Sequence, residues 1–150
     1  MPISPYVASL RKRVGPDLLL LPAVTAVIRS GPRFLLARQR DSGLWSLIGG
    51  GIEPGEEPSA ALMREVVEEL GVTPVVGRIV GAYGGEALEA VYPNGDRVSY
   101  VTVAYECTLP DDRVNLDGDE LLEVAWFVAS AISALPRHEW IDRVIDDCSR

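Results

Sequence analysis

The sequence has few cysteines, one histidine and a shortage of basic residues. Cys107 and Cys148 lie far apart without a CxxC partner, which excludes a disulfide-rich secreted framework and is typical of reduced thiols in a cytoplasm. The single histidine, His138, has no catalytic motif around it, and no GxxxxGK[ST] loop is present. A Ser-His-Asp or Cys-His site is therefore not expected, and His138 is interpreted as an ordinary surface or helix-end residue.

Basic charge is also scarce, with 14 Lys and Arg against 22 Asp and Glu and a net charge of −8. Nucleic-acid polymers are not expected partners, because their recognition requires clustered cations to neutralise phosphates. The RKR cluster at 11–13 is predicted to form the solvated side of a small helix. A small anionic substrate remains compatible with the charge if a divalent cation lies between it and the carboxylates.

Long apolar runs are missing as well. The longest, DLLLLPAVTAVI, is interrupted by Pro22 and is too short to span a membrane. No signal peptide is recognised at the N-terminus, since charges follow its apolar part and no small-residue cleavage site is present. At 150 residues, the chain is expected to form one domain, 1–150, in the cytoplasm. The sequence leaves a homodimer open.

Periodicity predicts an α+β fold. A short amphipathic helix, laid on the core, is predicted over about 4–14, and a C-terminal helix over about 137–148. Between them, a core over about 23–128 contains a hairpin formed by AVTAVIRS and RFLLARQR, a short strand in GLWSLIG and a last strand in LLEVAWFVAS.

An acidic helix is predicted over 58–70, and a helical projection divides it into two faces. The predicted apolar stripe consists of Leu62, Met63, Val66, Val67 and Leu70. The predicted polar side consists of Arg64, Glu65, Glu68 and Glu69. Like charges at these spacings repel, so the face is either ordinary solvated surface or a cation site. The glycine loop before the helix lets backbone carbonyls approach an ion, and such hard oxygen ligands suit Mg²⁺ or Mn²⁺.

The segment GGIEPGEEPSAALMREVVEELGV resembles the box of the Nudix hydrolase family: G, five residues, E, seven residues, R-E-U-x-E-E-x-G-U, with U apolar. Gly50 opens it, Glu56 follows after five residues, and REVVEELGV completes it from Arg64. The flanks LLARQR, GLWSLIGGGIEPGE and EVAWF resemble the MutT-like branch. The resemblance covers about Ala23 to Val128 and implies an α/β/α sandwich with a mixed β-sheet.

The resemblance also implies roles for particular residues. Mg²⁺, with Mn²⁺ as an alternative, would be held by Glu65, Glu68, Glu69 and the carbonyl of Gly49, while Arg64 and Glu56 would form a structural brace. Glu120 resembles a later loop carboxylate that serves as an extra ligand or base, with Asp119 and Glu123 as alternatives. Glu68 is the first candidate for the catalytic carboxylate and Glu65 the second. Ile48 departs from the family, because many members have proline before the glycines.

The implied reaction is hydrolysis of a pyrophosphate bond in a nucleoside diphosphate linked to another group. Two alternatives are a Nudix-fold nucleotide-binding or regulatory domain without turnover, and a structural module whose glutamates are surface charge. Arg38 and Arg40 are candidates for contacting a substrate phosphate, and Trp45 is expected either to stack on a base or to pack in the core. An oxidised nucleoside triphosphate, ADP-ribose and a dinucleoside polyphosphate all remain open as substrates.

Overall fold

The computed structural model describes residues 3–111, 113–116 and 119–150. Its helices are α1 (Pro5–Val14), α2 (Pro58–Leu70), α3 (Ala129–Ile132) and α4 (Ile141–Cys148), with a 3-10 turn at Glu86–Leu88. Its strands are β1 (Leu19–Ser30), β2 (Arg33–Gln39), β3 (Trp45–Ser46), β4 (Ile48–Gly51), β5 (Val75–Tyr83), β6 (Glu89–Val91), β7 (Arg97–Thr108) and β8 (Leu121–Val128).

The strands form a mixed sheet in which β1 is central. The sheet order is β3-β2-β1-β7-β5, with β4 paired to β1, β6 to β7 and β8 to β2. Strands β1 and β7 run parallel, whereas β1 pairs antiparallel with β4 and, at its far end, with β2. The predicted β1–β2 hairpin is confirmed, and so is the α+β fold class.

Helices cover both faces of this sheet. Helix α2 packs on one face in a core of Val24, Ala26, Ile28, Leu35, Ala37, Ile48, Ala61, Leu62, Val66, Leu70, Tyr105, Cys107 and Leu121. Helices α3 and α4 pack on the other face in a core that includes Val27, Phe34, Leu36, Trp45, Leu47, Tyr83, Ile132, Ile141, Val144 and Cys148. The α/β/α sandwich is therefore confirmed.

Helix α1 spans close to the predicted residues and lies at the surface. None of its side chains is buried, and Tyr6 and Val14 are 48% and 38% exposed. The helix begins at a Ser4 cap, whose hydroxyl accepts a hydrogen bond from the Val7 amide at 3.1 Å. Val7 and Leu10 are only half-buried, so α1 adds no fully buried residue to the core, and Arg11 donates hydrogen bonds from it to the Asp17 and Arg97 carbonyls.

The C-terminal helix begins at Ile141, later than predicted. The preceding residues bond to strand β3 instead: the Trp45 amide donates to the Pro136 carbonyl at 2.9 Å, and the His138 amide donates to the Trp45 carbonyl at 3.1 Å. Backbone groups engaged with a strand cannot also form helical hydrogen bonds.

Both cysteines are buried and free. Within the described residues, no helix is long and apolar enough to cross a membrane.

Helix α2 has the predicted bounds but a different buried face. Met63 and Val67 are 39% and 43% exposed, so their assignment to the core stripe is wrong. The buried residues are Ala61, Leu62, Glu65, Val66, Glu69 and Leu70. The two buried glutamates face the sheet beside the glycine strand β4, where the absence of side chains leaves room for a carboxylate.

Substitutions at two adjacent residues of α2 test which face of the helix is buried. Leu62→Ala removes a fully buried side chain and should lower the free energy of unfolding by about 2–5 kcal/mol. Met63→Ala, in the exposed position next to it, should change that free energy by less than about 1 kcal/mol. Urea unfolding of both variants measures the difference, and equal losses would contradict the assigned face.

Candidate active site

Strand β4 brings the backbone of two glycines against α2 and β1. A Cβ added at Gly50 would lie 2.2 Å from the carboxyl carbon of Glu65, and one added at Gly49 would lie 2.3 Å from the Val24 carbonyl oxygen. Both contacts are shorter than real Cβ atoms show. At Gly49 the close atom is backbone, so only glycine fits there. At Gly50 a side chain would displace the Glu65 carboxylate, which packs directly against the Gly50 backbone.

Arg64 connects α2 to the loop before it. Its Nε and Nη2 donate to the two carboxylate oxygens of Glu56 at 2.8 and 3.0 Å. Nη2 also donates to the Gly51 carbonyl at 3.0 Å, and Nη1 donates to Glu65 Oε1 at 2.9 Å. Glu56 Oε1 in turn accepts from the Glu53 amide at 3.0 Å. The bond from Arg64 lowers the pKa of Glu56, and the bond to Glu56 raises the pKa of Arg64.

Two carboxylates of this helix are buried. Glu65 is 4% exposed and Glu69 is 8% exposed. Burial raises the pKa of Glu65 to about 7, although Arg64 opposes the change. Burial, followed by repulsion from Glu65 and Glu120, raises the pKa of Glu69 to about 8. Burial and carboxylate repulsion therefore dominate at Glu69, and its ionised form is disfavoured in the folded chain.

Glu68 differs from these neighbours because its side chain is 54% exposed. Its Oε1 lies 3.6 Å from Arg64 Nη1, the nitrogen that also donates to Glu65. As the side chains stand, no three carboxyl, imidazole or thiol groups among the described residues are close enough together to ligate one ion. A cation shared by Glu65, Glu68 and Glu69 would require these side chains to converge further than they do here.

A cavity of about 770 Å³ opens beside the glycine strand, a volume in the usual range for a small-molecule site. Gly49, Gly50, Glu69, Asp119 and Glu120 all line it. Carboxylates and backbone carbonyls are hard oxygen ligands, and a set of such donors fits a divalent cation. The fit to such an ion therefore rests on the chemical type of the donors, because the carboxylates do not converge on one point in this arrangement.

The later acidic residues occupy different surroundings. Glu120 is close enough to raise the pKa values of both Glu65 and Glu69. Glu123 instead accepts a hydrogen bond from Arg38 Nε at 3.0 Å, in a cross-strand pair between β2 and β8. Asp119 and Glu120 therefore lie at the cavity, whereas Glu123 does not line it.

The three residues that the sequence suggested as substrate contacts lie in different surroundings. Arg40 lines the cavity, but Arg38 and Trp45 do not. Trp45 is 7% exposed and packs edge-on against Phe127, with 5.1 Å between ring centroids. Trp45 is therefore a core residue, and the structure does not bring it to the cavity. Ile48, which departs from the proline that many members of the family have, is also fully buried and pairs with Ala26.

Other cavity-lining groups were not singled out from the sequence. Tyr92 and Tyr100 both line the cavity, and their hydroxyls lie 2.7 Å apart. His138 also lines it, with Nε2 2.9 Å from Gln39 Oε1, and burial lowers its pKa. The Asn94-Gly95 pair before β7 is a hairpin signal in the sequence, but no sequence signal pairs His138 with Gln39.

Residues 19–148 match the NUDIX domain. The chain is 28% identical over 141 residues to a MutT-like protein of Streptomyces ambofaciens, covering 94% of this chain and 84% of that one. It is 33% identical over 127 residues to diphosphoinositol polyphosphate phosphohydrolase 2 of Rattus norvegicus, covering 77% of this chain but only 63% of the rat protein.

Among solved structures, the MutT protein of Methanosarcina mazei Go1 superposes with a TM-score of 0.68 and 26% identity. The superposition covers 87% of this chain and 93% of that one. The sandwich and the box on α2 thus belong to a known class of hydrolase folds. The chain belongs to the NUDIX domain family, in its MutT-like part, and is a hydrolase of that family.

The contacts of Arg64 generate a stability prediction. Arg64→Ala removes the two-point bond to Glu56 and leaves buried Glu65 without its cationic neighbour, so it should lower the free energy of unfolding by about 1.5–3 kcal/mol. Arg38→Ala is the control, because it removes an exposed pair with Glu123 and should cost less than about 1 kcal/mol. Chemical denaturation measures both, and equal effects would show that Arg64 is an ordinary surface arginine.

Proposed function

We propose that the chain hydrolyses a pyrophosphate bond in a nucleoside diphosphate linked to another group, with Mg²⁺ or Mn²⁺ as its cofactor. The observation that carries this proposal is the pair of buried carboxylates, Glu65 and Glu69, set against the glycine strand beside a cavity of about 770 Å³. Burying like charges side by side opposes folding. A cation that binds there offsets that cost and simultaneously attracts a phosphate.

The proposed ligands are Glu65, Glu68, Glu69 and the Gly49 carbonyl, with Glu120 as a further carboxylate at the cavity. When bound, the cation offsets the charge of the pyrophosphate oxygens and lowers the pKa of the attacking water. Arg64 holds the helix and the loop in register through Glu56 and the Gly51 carbonyl.

Glu68 is the proposed general base, with Glu65 as the second candidate. A base must be ionised and must reach solvent-derived water before it can accept a proton from it. Glu68 meets the second requirement better, because its side chain is 54% exposed whereas Glu65 is buried. Glu65 also already accepts a bond from Arg64, which occupies one of its oxygens.

The charge of the cavity favours a substrate whose organic part is uncharged. The described residues that line it include the carboxylates Asp41, Glu89, Asp119 and Glu120, besides Glu69 with its pKa raised to about 8, against one guanidinium, Arg40. His138 adds no charge at neutral pH, because burial lowers its pKa. The remaining wall includes Leu47, Leu88, Tyr92, Tyr100 and Trp140, which suit a flat, weakly polar ring better than a set of phosphates.

A diphosphoinositol polyphosphate is the second candidate substrate, because a relative at 33% identity is named for acting on one. Several phosphates on one ring require several cationic side chains, and Arg40 alone among the described lining residues is of that kind. The nucleoside derivative is therefore the preferred class. Its proposed location is the cytoplasm, where free cysteines remain reduced. All the proposed site residues lie on one chain, so a monomer or a homodimer would serve.

A substrate panel tests the class directly. Nucleoside triphosphates, ADP-ribose, dinucleoside polyphosphates and a diphosphoinositol polyphosphate are incubated with Mg²⁺, and the products are identified by mass spectrometry. The proposal expects cleavage between phosphates of a nucleoside derivative. Cleavage of the inositol compound alone would establish the second candidate, and no turnover of any compound would favour a binding domain.

Glu68→Gln tests the general base, because it keeps the shape of the side chain and removes its charge. Turnover should fall by at least about 10²-fold, while the circular dichroism spectrum stays unchanged. Glu57→Gln is the matched control: Glu57 is exposed at the start of the same helix, and its side chain makes no capping hydrogen bond. Near-wild-type turnover in Glu68→Gln would remove Glu68 from the catalytic role.

A further inference from the structure

Arg11 of α1 makes several hydrogen bonds to carbonyl groups outside its helix, although α1 has no fully buried residue. Its Nη1 donates to the carbonyls of Gly15 and Asp17 at 3.0 and 2.6 Å. Its Nη2 donates to the Arg97 carbonyl at 2.7 Å, and its Nε lies 3.5 Å from Asp96 Oδ2. The side chain is only 11% exposed, so all three guanidinium nitrogens are engaged in a largely enclosed position.

These contacts join the starting ends of the two central parallel strands. Leu19, the first residue of β1, pairs with Val98 near the start of β7, and the Arg97 amide donates to the Pro16 carbonyl at 3.2 Å. Arg11 therefore lies where the segment before β1 meets the turn before β7. A planar guanidinium holds several acceptors in a fixed arrangement, which a lysine ammonium cannot reproduce.

The turn that Arg11 contacts continues into the cavity wall. Between β6 and β7, the Tyr92 amide donates to the Asp96 carbonyl at 2.9 Å, and the Gly95 amide donates to the Tyr92 carbonyl at 2.8 Å. The cavity is lined by Tyr92, Pro93 and Tyr100, and the hydroxyls of the two tyrosines form a hydrogen bond. A shift of the turn would therefore move Tyr92 and change the shape of that wall.

We infer that Arg11 is a positioning residue that fixes the β6–β7 hairpin as one wall of the substrate cavity. The helix that carries it precedes residues 19–148, the part that matches the NUDIX domain. The inference rests on the proposed function for the identity of the bound molecule, but the mechanical link from Arg11 to Tyr92 is independent of it. Loss of Arg11 should weaken substrate binding without altering the carboxylates on α2.

Two measurements on the full chain test the inference. Hydrogen exchange followed by mass spectrometry reports the protection of segment 91–97, and steady-state kinetics report KM and kcat on a substrate that the wild-type chain turns over. In Arg11→Ala, exchange in this segment should accelerate about tenfold, and KM should rise by a similar factor, since a bond to a charged group is lost. The kcat value should stay within about twofold, because the reacting groups are untouched.

Lys12→Ala is the matched control, because Lys12 is the adjacent, exposed residue of α1 with the same charge. It should leave both readouts at wild-type values. Arg11→Lys keeps the charge but not the planar guanidinium, so its exchange rate and its KM should lie between those of the wild type and Arg11→Ala. It replaces Arg11→Ala in the test if the alanine variant fails to fold.

The possible failures are distinguishable. Unchanged hydrogen exchange of segment 91–97 in Arg11→Ala, or the same acceleration in Lys12→Ala, would overturn the claim that Arg11 fixes the β6–β7 hairpin. Accelerated exchange with an unchanged KM, or a fall in kcat alone, would overturn its role in shaping the substrate site. A wild-type chain that turns over no substrate would overturn the proposed function and with it the substrate-positioning role, whereas the exchange data would still judge the contact between Arg11 and the hairpin.

Discussion

The bond network of Arg64 is the constraint on which the site depends. One guanidinium donates to the carboxylate of Glu56, to the Gly51 carbonyl and to Glu65, and so joins the glycine strand, the loop and the helix. Each of these three segments is positioned by a different neighbour: β4 by β1, the loop by the Glu53–Glu56 bond, and α2 by its apolar face. Arg64 is the side chain whose hydrogen bonds reach all three segments.

That arrangement has an electrostatic cost. Burial raises the pKa values of Glu65 and Glu69 to about 7 and about 8, so ionising them is less favourable in the folded chain than in the unfolded one. Their contribution to stability therefore falls as the pH rises above the ordinary carboxyl pKa toward these values. Arg64 offsets part of the cost at Glu65, whereas burial and carboxylate repulsion dominate at Glu69. A bound divalent cation would supply compensating charge, which links the stability of the fold to the proposed chemistry.

The box was predictable from the sequence because its information is local. The spacing of Glu56, Arg64 and the glutamates predicted α2 with the bounds that it has. Burial of Glu65 was not predictable, since it depends on Gly50 from another element packing on the helix. The same holds for the contact of His138 with Gln39, 99 residues away in the chain, and for the start of α4, which is delayed by bonds to Trp45.

The central claim is that the acidic face of α2 holds a divalent cation, and the melting temperature measures it most directly. Scanning calorimetry compares the wild-type chain with the E65Q/E68Q/E69Q variant, in MgCl₂ and in NaCl of equal ionic strength. Because a ligand that binds only the folded state stabilises it, Mg²⁺ should raise the wild-type melting temperature well beyond the effect of Na⁺. The variant should melt higher than the wild type without metal and should show no Mg²⁺ increment. Equal shifts with Mg²⁺ and Na⁺ would contradict the claim.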